Sequence, residues 1–317
     1  METIPAPSDL QTFVDEHGFV PLAWAGATTE MSYLNWGDAL SPVMTALMCG
    51  LPIRRVPTAP IRIDLDRVGT IGHGFDLGSI HFWGTGSSQW MNPSAPRDQR
   101  LPVKRSAEAR AVVHATRGPI SERILGGSSG VYGDPVWLLP RFYQPETVKT
   151  HDLGIILHLS ELNGRALDAG AKPDILRAQL PEAWTGRVRI INTLTAISPE
   201  GLKAKTDEIL SCRRIVSTSL HGMVIAETYG IPCLYFAPRA DDRKAQDGPV
   251  EVSLEADWLD LRIRDLYQGL GQTGLTIYAQ RRDRRTDFDA LLDAIDQHWR
   301  PLTPDVQPLM DAFPIQA

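Results

Sequence analysis

Short apolar runs alternate with amphipathic stretches along the first half of the chain. Residues 18–26 (GFVPLAWAG) have the pattern of a buried strand. Residues 35–50 (NWGDALSPVMTALMCG) follow with the pattern of a helix that Gly50 ends. A strand over Ala111–Ala115 is likewise followed by a helix with Pro119 at its first position. Strands that alternate with helices in this way predict a parallel sheet with crossover helices.

A second alternating series follows residues 140–152 (PRFYQPETVKTHD), a proline-containing segment of mixed charge that we interpret as a linker. Its strand-like runs are LGIILHLSE, GRVRIINTL, RRIVSTS and PCLYFA, and its helix-like runs are DILRAQLPEAW, GLKAKTDEILSC and GMVIAETYG. DFDALLDAIDQHWRPL predicts a closing helix, which could pack back on the first half. The predicted fold class is α/β, with two doubly wound, Rossmann-like domains over residues 1–148 and 149–317 and a site in the cleft between them.

Composition narrows the class of protein. The chain has 317 residues, 43% of them hydrophobic, yet no run approaches the roughly 18 apolar residues that span a bilayer. Residues 1–20 contain neither lysine nor arginine, so they lack the pattern of a secretion signal, and we expect a cytoplasmic location. Cys49, Cys212 and Cys233 fit no metal-ligand spacing and are expected to be buried free thiols. A net charge of −6 argues against generic nucleic-acid binding, so an anionic ligand would need a local basic or dipolar site.

The stretch STSLHG, residues 217–222, lies where a predicted strand gives way to a predicted helix. The first turn of a helix has unpaired N–H groups, and together with the helix dipole they favour a phosphate or a carboxylate. The hydroxyls of Ser217, Thr218 and Ser219 could add donors, and Gly222 would let a ligand approach the backbone. His221 could add a positive charge or move a proton. In the alternative interpretation, Ser219 caps the helix and His221 only packs at the domain interface.

Polar residues at other predicted strand ends could complete this site. Arg117 could clamp a carboxylate with two guanidinium N–H groups, or it could pair with Glu122. Asp38 could accept a proton from a hydroxyl group, or it could cap the helix that follows. His158 ends the first strand of the second half and is expected to face the cleft.

Glycines and histidines of the first half are candidates for the opposite wall of the cleft. Gly37, Gly84 and Gly86 would permit close approach of a ligand to the backbone. The Gly-Thr-Gly loop lacks the third glycine and the downstream acidic residue of a dinucleotide fingerprint, which argues against a nicotinamide site. His73 and His81 could reach an acceptor.

Blocks of the sequence resemble, in order, those of the polysaccharide pyruvyl transferase family over about Val20–Gly271. The blocks are NWGDALSP, HFWGTGSS, HATRGPIS, YGDPVWLLP, ILHLSE, STSLHGMVIAETYGIP and RIRDLYQGLG. The resemblance implies a GT-B-like pair of α/β domains. It also implies transfer of the enolpyruvyl skeleton of phosphoenolpyruvate to a sugar of an exopolysaccharide repeat unit, which gives a pyruvate ketal and free phosphate.

The resemblance also implies roles for individual residues. His221 matches the histidine of the family's Leu-His-Gly element, which is tied to donor binding and catalysis, and Asp38 is our second catalytic candidate. We expect donor contacts from Ser217, Thr218, Ser219, Gly222, Arg117, His158 and Glu227, and acceptor contacts from Asn35, Gly37, Gly84, Gly86 and His73. No metal or cofactor is expected. Phosphoenolpyruvate takes part as a co-substrate. Some relatives carry an arginine where this chain has Ser219, so one cationic contact to the donor must come from elsewhere or be absent.

Alternative functions stay open from the sequence. Glu227 lies where related nucleotide-sugar enzymes hold a ribose, which suits a GT-B glycosyltransferase. Ser219, in place of an arginine, suits a relative that binds sugar or phosphate without catalysis. The basic run Arg281–Arg285 is either a solvated face or a contact for anionic lipid at the inner face of a membrane, where a lipid-linked saccharide acceptor would be found.

Overall fold

A computed structural model describes residues 10–24, 33–56, 79–91, 96–103, 110–237 and 247–316 of the chain. His73, one of the predicted acceptor contacts, lies outside these ranges. No helix in the described ranges is long and apolar enough to cross a membrane.

The described elements alternate between strand and helix, as the sequence pattern predicts. The strands are β1 Val20–Leu22, β2 Leu34–Asn35, β3 Ile53–Arg55, β4 Ser79–Phe82, β5 Arg110–Val113, β6 Leu153–Leu157, β7 Val188–Asn192, β8 Leu194–Thr195, β9 Ile215–Ser217, β10 Cys233–Ala237, β11 Gly248–Ser253 and β12 Gly274–Ala279. The helices are α1 Leu10–His17, α2 Trp36–Cys49, α3 Pro119–Leu125, α4 Pro199–Leu210, α5 Leu220–Thr228, α6 Leu261–Gly269, α7 Phe288–His298 and α8 Gln307–Asp311. Short 3₁₀ turns occupy Arg97–Gln99, Pro135–Arg141, Leu159–Glu161, Leu176–Ala178 and Glu182–Trp184.

The largest sheet has six strands in the order β7-β6-β9-β10-β12-β11. Its strands are parallel except β11, which pairs antiparallel with β12 at one edge. Ile215 of β9 pairs with Gly154 of β6 on one side and with Cys233 of β10 on the other. Every residue of β6, β9 and β10 is buried, as expected for central parallel strands covered on both faces. The predicted mixed α/β class is therefore confirmed.

The first half forms smaller parallel pairs, β1 with β3 and β4 with β5. It is joined to the large sheet region by β2, which pairs antiparallel with β8, and by a hydrogen bond from Trp36 N to Thr193 O of 2.7 Å. One apolar cluster contains Trp36 and Trp83 of the first half together with Ile156 and many other residues of the second. The two halves therefore share buried contacts, and the boundary between residues 148 and 149 stays a prediction.

The C-terminal segment beyond the predicted closing helix contacts the first half. Helix α7 packs on the large sheet through Phe288 and Leu291. The chain beyond it reaches Trp83, whose indole N–H donates to Leu309 O at 2.7 Å and whose ring meets Phe313 edge-on.

Two elements differ from the sequence prediction. Helix α2 begins at Trp36 with Asn35 at the N-cap, so neither Asp38 nor Ser41 caps it; the helix starts where the pairing of β2 with β8 ends. The run DILRAQLPEAW was predicted as a helix, and that prediction is wrong. It forms two 3₁₀ turns separated by Pro181, which has no N–H for a helical hydrogen bond.

Local signals at other positions are confirmed. Pro119 is the first residue of α3, and Ser219 is the N-cap residue of α5. Cys49, Cys212 and Cys233 are buried free thiols.

Candidate active site

The candidate site lies at the carboxyl ends of β6 and β9, in the middle of the large sheet. From β6 the chain first adds β7 on one side and then crosses to add β9 on the other, so the strand order reverses between β6 and β9. In open α/β sheets such a switch point leaves a crevice where ligands bind. His158 directly follows β6, and the STSLHG stretch begins with the last residue of β9.

The hydroxyls of Ser217 and Thr218 are used within the protein. Ser217 Oγ accepts from Ser219 N at 3.0 Å and donates to Ser219 O at 2.8 Å. Thr218 Oγ1 donates to Glu161 Oε2 at 2.6 Å and accepts from His158 N at 2.7 Å. These bonds fix the turn between strand and helix and tie it to the end of β6.

Gly222 is required by this turn. A Cβ atom at Gly222 would lie 2.3 Å from Ser217 Oγ, which is far inside van der Waals contact. The glycine lets the first turn of α5 close down on the Ser217 hydroxyl, so its first demonstrable role is packing.

The first turn of α5 has amides without partners. The first helical bond runs from Met223 N to Ser219 O, at 3.3 Å, and the amides of Leu220, His221 and Gly222 have no acceptor among the described residues. The Ser219 side chain makes no capping hydrogen bond, so the interpretation of Ser219 as a side-chain cap is wrong. Ser219, Leu220, His221 and Gly222 are all buried. Buried N–H groups almost always have a partner, and those at a helix N-terminus favour an anion.

His221 lies next to Asp134, a residue of the first half. Its Nε2 atom is 3.7 Å from Asp134 Oδ2, too long for a hydrogen bond, and has no hydrogen-bond partner among the described residues. Asp134 in turn accepts from Arg117 Nε at 3.4 Å and from Val136 N at 3.1 Å. The side chains of Arg117 and Asp134 are fully buried, whereas that of His221 is 9% exposed. The imidazole therefore faces a charged cluster rather than an apolar interior.

Arg117 does not pair with Glu122. The Glu122 carboxylate instead accepts from Ser129 Oγ, Gly130 N and Tyr132 Oη. The observed partner of Arg117 is Asp134, a residue that the sequence interpretation missed. Asp134 lies in the YGDPVWLLP block, and it caps the 3₁₀ turn that begins at Pro135.

The start of α2 packs directly on the imidazole. A Cβ atom at Gly37 would lie 2.3 Å from His221 Nδ1, so only glycine fits there. Asp38 is the next residue, and its Oδ2 atom accepts from Asn35 Nδ2 at 2.6 Å. Asn35, Gly37 and Asp38, predicted from the first half, are thus brought to His221.

Burial opposes protonation of the His221 and His158 imidazoles in the free protein. Burial lowers the pKa of His221, although the nearby charge of Asp134 opposes the shift. Burial, reinforced by the charge of Arg262, lowers the pKa of His158 to about 4. Burial raises the pKa of Asp38, although the charge of His221 and the hydrogen bond from Asn35 oppose this shift. A ligand that brings negative charge would favour protonation of both imidazoles.

His158 has one ring nitrogen fixed. Its Nδ1 atom accepts from Ser160 N at 3.2 Å, and its backbone N–H donates to Thr218. The tautomer that accepts at Nδ1 carries its proton on Nε2, which makes Nε2 a potential donor to a ligand.

Three other predicted site residues have structural contacts of their own. Glu227 is near the far end of α5, where its carboxylate accepts from Tyr267 Oη at 3.0 Å and from Trp299 Nε1 at 3.2 Å. Gly84, with φ +64°, packs on Pro135, where a Cβ atom would lie 2.2 Å from Pro135 Cδ. Gly86 is buried in the same loop.

His81 and His114 form a stacked pair at the ends of β4 and β5. His81 Nδ1 and His114 Nε2 are 2.8 Å apart, and the ring centroids are separated by 5.1 Å.

A model of a known protein family matches about half of the chain. The family model for polysaccharide pyruvyl transferase matches residues 78–239 of the 317 in the chain. This range contains Arg117, Asp134, His158 and His221. No curated protein matches the chain.

Proposed function

The chain belongs to the polysaccharide pyruvyl transferase family, and we propose that it transfers the three-carbon skeleton of phosphoenolpyruvate to a sugar of an exopolysaccharide repeat unit. The product is a pyruvate ketal that bridges two hydroxyls, and phosphate is released. The observation that carries this proposal is the first turn of α5, where the amides of the buried residues Leu220–Gly222 have no acceptor within the described part of the chain, beside the His221 imidazole.

The phosphate of the donor is proposed to bind at the first turn of α5. A phosphate offers three strong acceptor oxygens, and the turn offers three N–H donors at the positive end of a helix dipole. Ser219 is the remaining hydroxyl of the stretch, since it makes no capping bond. Ser217, Thr218 and Gly222 support the donor site by fixing the turn.

His221 is proposed as the general acid, or as the group that stabilises the departing phosphate. In the first role it transfers a proton to the methylene carbon of phosphoenolpyruvate, which becomes a methyl group and leaves a cation-like centre on the adjacent carbon. A sugar hydroxyl attacks that carbon and loses its proton to a base. A second hydroxyl then displaces phosphate as the carbon–oxygen bond to phosphate breaks and the last proton is released.

Asp38 is the proposed base for the attacking hydroxyl. Burial raises its pKa, so the carboxylate is a stronger proton acceptor than an exposed aspartate. Asn35 holds one of its oxygens, which orients the other. Arg117 acts through Asp134 and adds positive potential to the donor site.

The proposed division of labour follows the two halves of the chain. Residues 149–317 supply the donor site, and residues 1–148 supply Asn35, Gly37, Gly84, Gly86 and His73 on the acceptor side of a GT-B-like cleft. His73 lies outside the described residues. The acceptor is proposed to be lipid-linked, and the protein cytoplasmic at the inner face of the membrane.

The basic run does not favour an extended lipid-binding patch. Arg281 pairs with Asp283 at 2.7 Å, Arg282 with Glu161 at 3.1 Å, and Arg284 with Asp247 at 3.3 Å. These pairs favour the interpretation of a solvated, partly structural face.

Nothing in the described site favours a nucleotide sugar as the donor. Glu227, the residue that suited a ribose, has both carboxylate oxygens bonded to Tyr267 and Trp299. The proposal is tested by titrating the purified protein separately with phosphoenolpyruvate and with UDP-sugars, and by measuring phosphate release with a saccharide acceptor. We expect saturable binding of phosphoenolpyruvate and acceptor-dependent phosphate release. Binding of the nucleotide alone would overturn the proposal, and donor binding without phosphate release would indicate a non-catalytic relative.

A further inference from the structure

Helix α6 packs against the loop that carries Arg117, and at its start it has a charged pair that the sequence interpretation missed. Asp260 caps the helix by accepting from Arg262 N at 2.9 Å. The same carboxylate accepts from Arg262 Nε at 3.0 Å and from Arg262 Nη2 at 2.7 Å. Asp260 therefore fixes both the helix start and the direction of the Arg262 guanidinium.

Close packing holds α6 against the loop that carries Arg117. A Cβ atom at Gly118 would lie 1.8 Å from Asp265 O, and one at Gly269 would lie 2.6 Å from Arg117 O. Backbone meets backbone at both positions, so α6 has little freedom to shift. Arg262 is thus presented from a rigid element rather than from a mobile loop.

The guanidinium of Arg262 still has unused hydrogen-bonding capacity. Asp260 engages Nε and Nη2, and Nη1 has no acceptor among the described residues. The side chain is 31% exposed, whereas the side chain of Arg117 is fully buried. Of these two arginines, Arg262 is the one that a ligand from solvent can reach.

Arg262 also lies among the groups of the candidate site. Its positive charge acts on the protonation of His158, His221 and Asp38. The packing of α6 agrees with this, because Gly269 of the same helix meets Arg117 O, and Arg117 pairs with Asp134, whose Oδ2 atom lies 3.7 Å from His221 Nε2.

We propose that Arg262 binds the carboxylate of the donor, with Asp260 as its positioning residue. This inference rests on the proposed function and divides the donor between two contacts: the phosphate on the amides of α5 and the carboxylate on Arg262. Arginine suits a planar carboxylate because its N–H groups lie in one plane and can bind both oxygens. Some relatives carry an arginine where this chain has Ser219. In this chain Arg262 supplies the cationic contact to the donor instead.

The inference predicts that Arg262 distinguishes phosphoenolpyruvate from inorganic phosphate. We would measure the Kd of both by calorimetry for the wild type, Arg262→Gln and Arg262→Lys. Arg264→Gln is the matched control, because Arg264 lies on the same helix but bonds to Leu254 O, at 2.8 Å.

Loss of one charge-assisted contact should weaken phosphoenolpyruvate binding by Arg262→Gln roughly 10- to 100-fold. Inorganic phosphate should change by less than about threefold, because it makes no carboxylate contact. Arg262→Lys should recover part of the loss, and Arg264→Gln should match the wild type. In the transfer assay, the KM for phosphoenolpyruvate should rise more than kcat falls.

Two results would overturn the inference. If the wild type binds phosphoenolpyruvate and Arg262→Gln binds it equally well, or loses both ligands to the same extent, Arg262 does not read the carboxylate while the proposed function stands. If the wild type does not bind phosphoenolpyruvate, the proposed function and the assignment of Arg262 fail together. A folded Arg262→Lys variant, checked by its Tm, keeps the test valid if Arg262→Gln is unstable.

Discussion

Helices α3 and α5 begin in similar settings, but only at α3 does a carboxylate of the protein accept hydrogen bonds from the first-turn amides. Each follows a parallel strand, β5 or β9, after a short turn. At α3, the amides of Ile120 and Ser121 donate to Asp265 Oδ1 at 2.9 and 3.0 Å, and Ser121 Oγ donates to Asp265 Oδ2. At α5, the corresponding amides have no acceptor among the described residues.

The contrast distinguishes a helix start whose amides bind a carboxylate of the protein itself from one whose amides are available to a ligand. Asp265 belongs to α6, so its carboxylate completes α3 and also ties the two helices together. Leaving the α5 amides buried without a partner costs free energy in the free protein. A ligand that supplies the missing anion recovers that free energy, so the unpaired turn is the place where donor binding is expected.

The largest expected effect comes from removing the imidazole at α5. His221→Ala should lower the rate of pyruvyl transfer by roughly 1000-fold or more, because the proposed acid is lost. The Tm should stay within a few degrees, because His221 Nε2 has no hydrogen-bond partner to lose. Transfer rates and thermal unfolding measure both, and His298→Ala, which removes an exposed histidine, is the control. A variant that fails to fold would show that His221 is structural.

Removing the carboxylate of Asp265 at α3 should mainly lower the stability of the fold. Asp265→Ala leaves the partly buried amide of Ile120 and the buried amide of Ser121 without this acceptor, so the free energy of unfolding should fall by roughly 2–4 kcal/mol. Asp265→Asn keeps an acceptor oxygen and should lose less. Denaturant unfolding checks this order, and an Asp265→Ala variant as stable as the wild type would contradict it.

Giving α5 its own anion should make it resemble α3. Ser219→Asp places a carboxylate at the N-cap, which should stabilise the fold by about 0.5–1 kcal/mol and weaken donor binding roughly tenfold or more. Ser219→Arg should be tolerated or raise donor affinity, because the added charge is positive. Calorimetric titration with phosphoenolpyruvate compares the two variants. Equal donor affinity in both would mean that the donor does not approach this turn.

The smallest effect that we predict is a change in protonation on binding. Burial lowers the pKa of His221 in the free protein, where Asp134, Arg117, Asp38 and Arg262 are the charged groups that act on it. A bound phosphate should raise that pKa, so binding at about pH 7 should take up as much as about one proton, and affinity should fall as the pH rises further. Titrations in buffers of different ionisation enthalpy measure the uptake. His221→Ala should abolish it; uptake that persists would point to another group, such as Asp38.

Structural features that depend on residues close together in the chain can be predicted from the sequence. The small residues at 217–219 and the helix pattern that follows them locate the strand-to-helix turn, and the alternation of patterns predicts the parallel sheet. The proline at position 119 predicts the start of α3 for the same local reason.

Structural features that depend on contacts between distant segments of the chain were not predicted from the sequence. Asp134 reaches His221, Asp265 fills the start of α3, and Gly37 makes room for the imidazole only because three separate parts of the chain meet. Glu227 was predicted as a ligand contact from its position on α5, and the structure adds that Tyr267 and Trp299 donate hydrogen bonds to its carboxylate.

The most direct test is a crystal structure of the protein with phosphoenolpyruvate bound. The account predicts the phosphate within hydrogen-bond distance of the amides of Leu220–Gly222 and beside His221, with the carboxylate on Arg262. Phosphoenolpyruvate bound elsewhere, with the first turn of α5 left unoccupied, would contradict it.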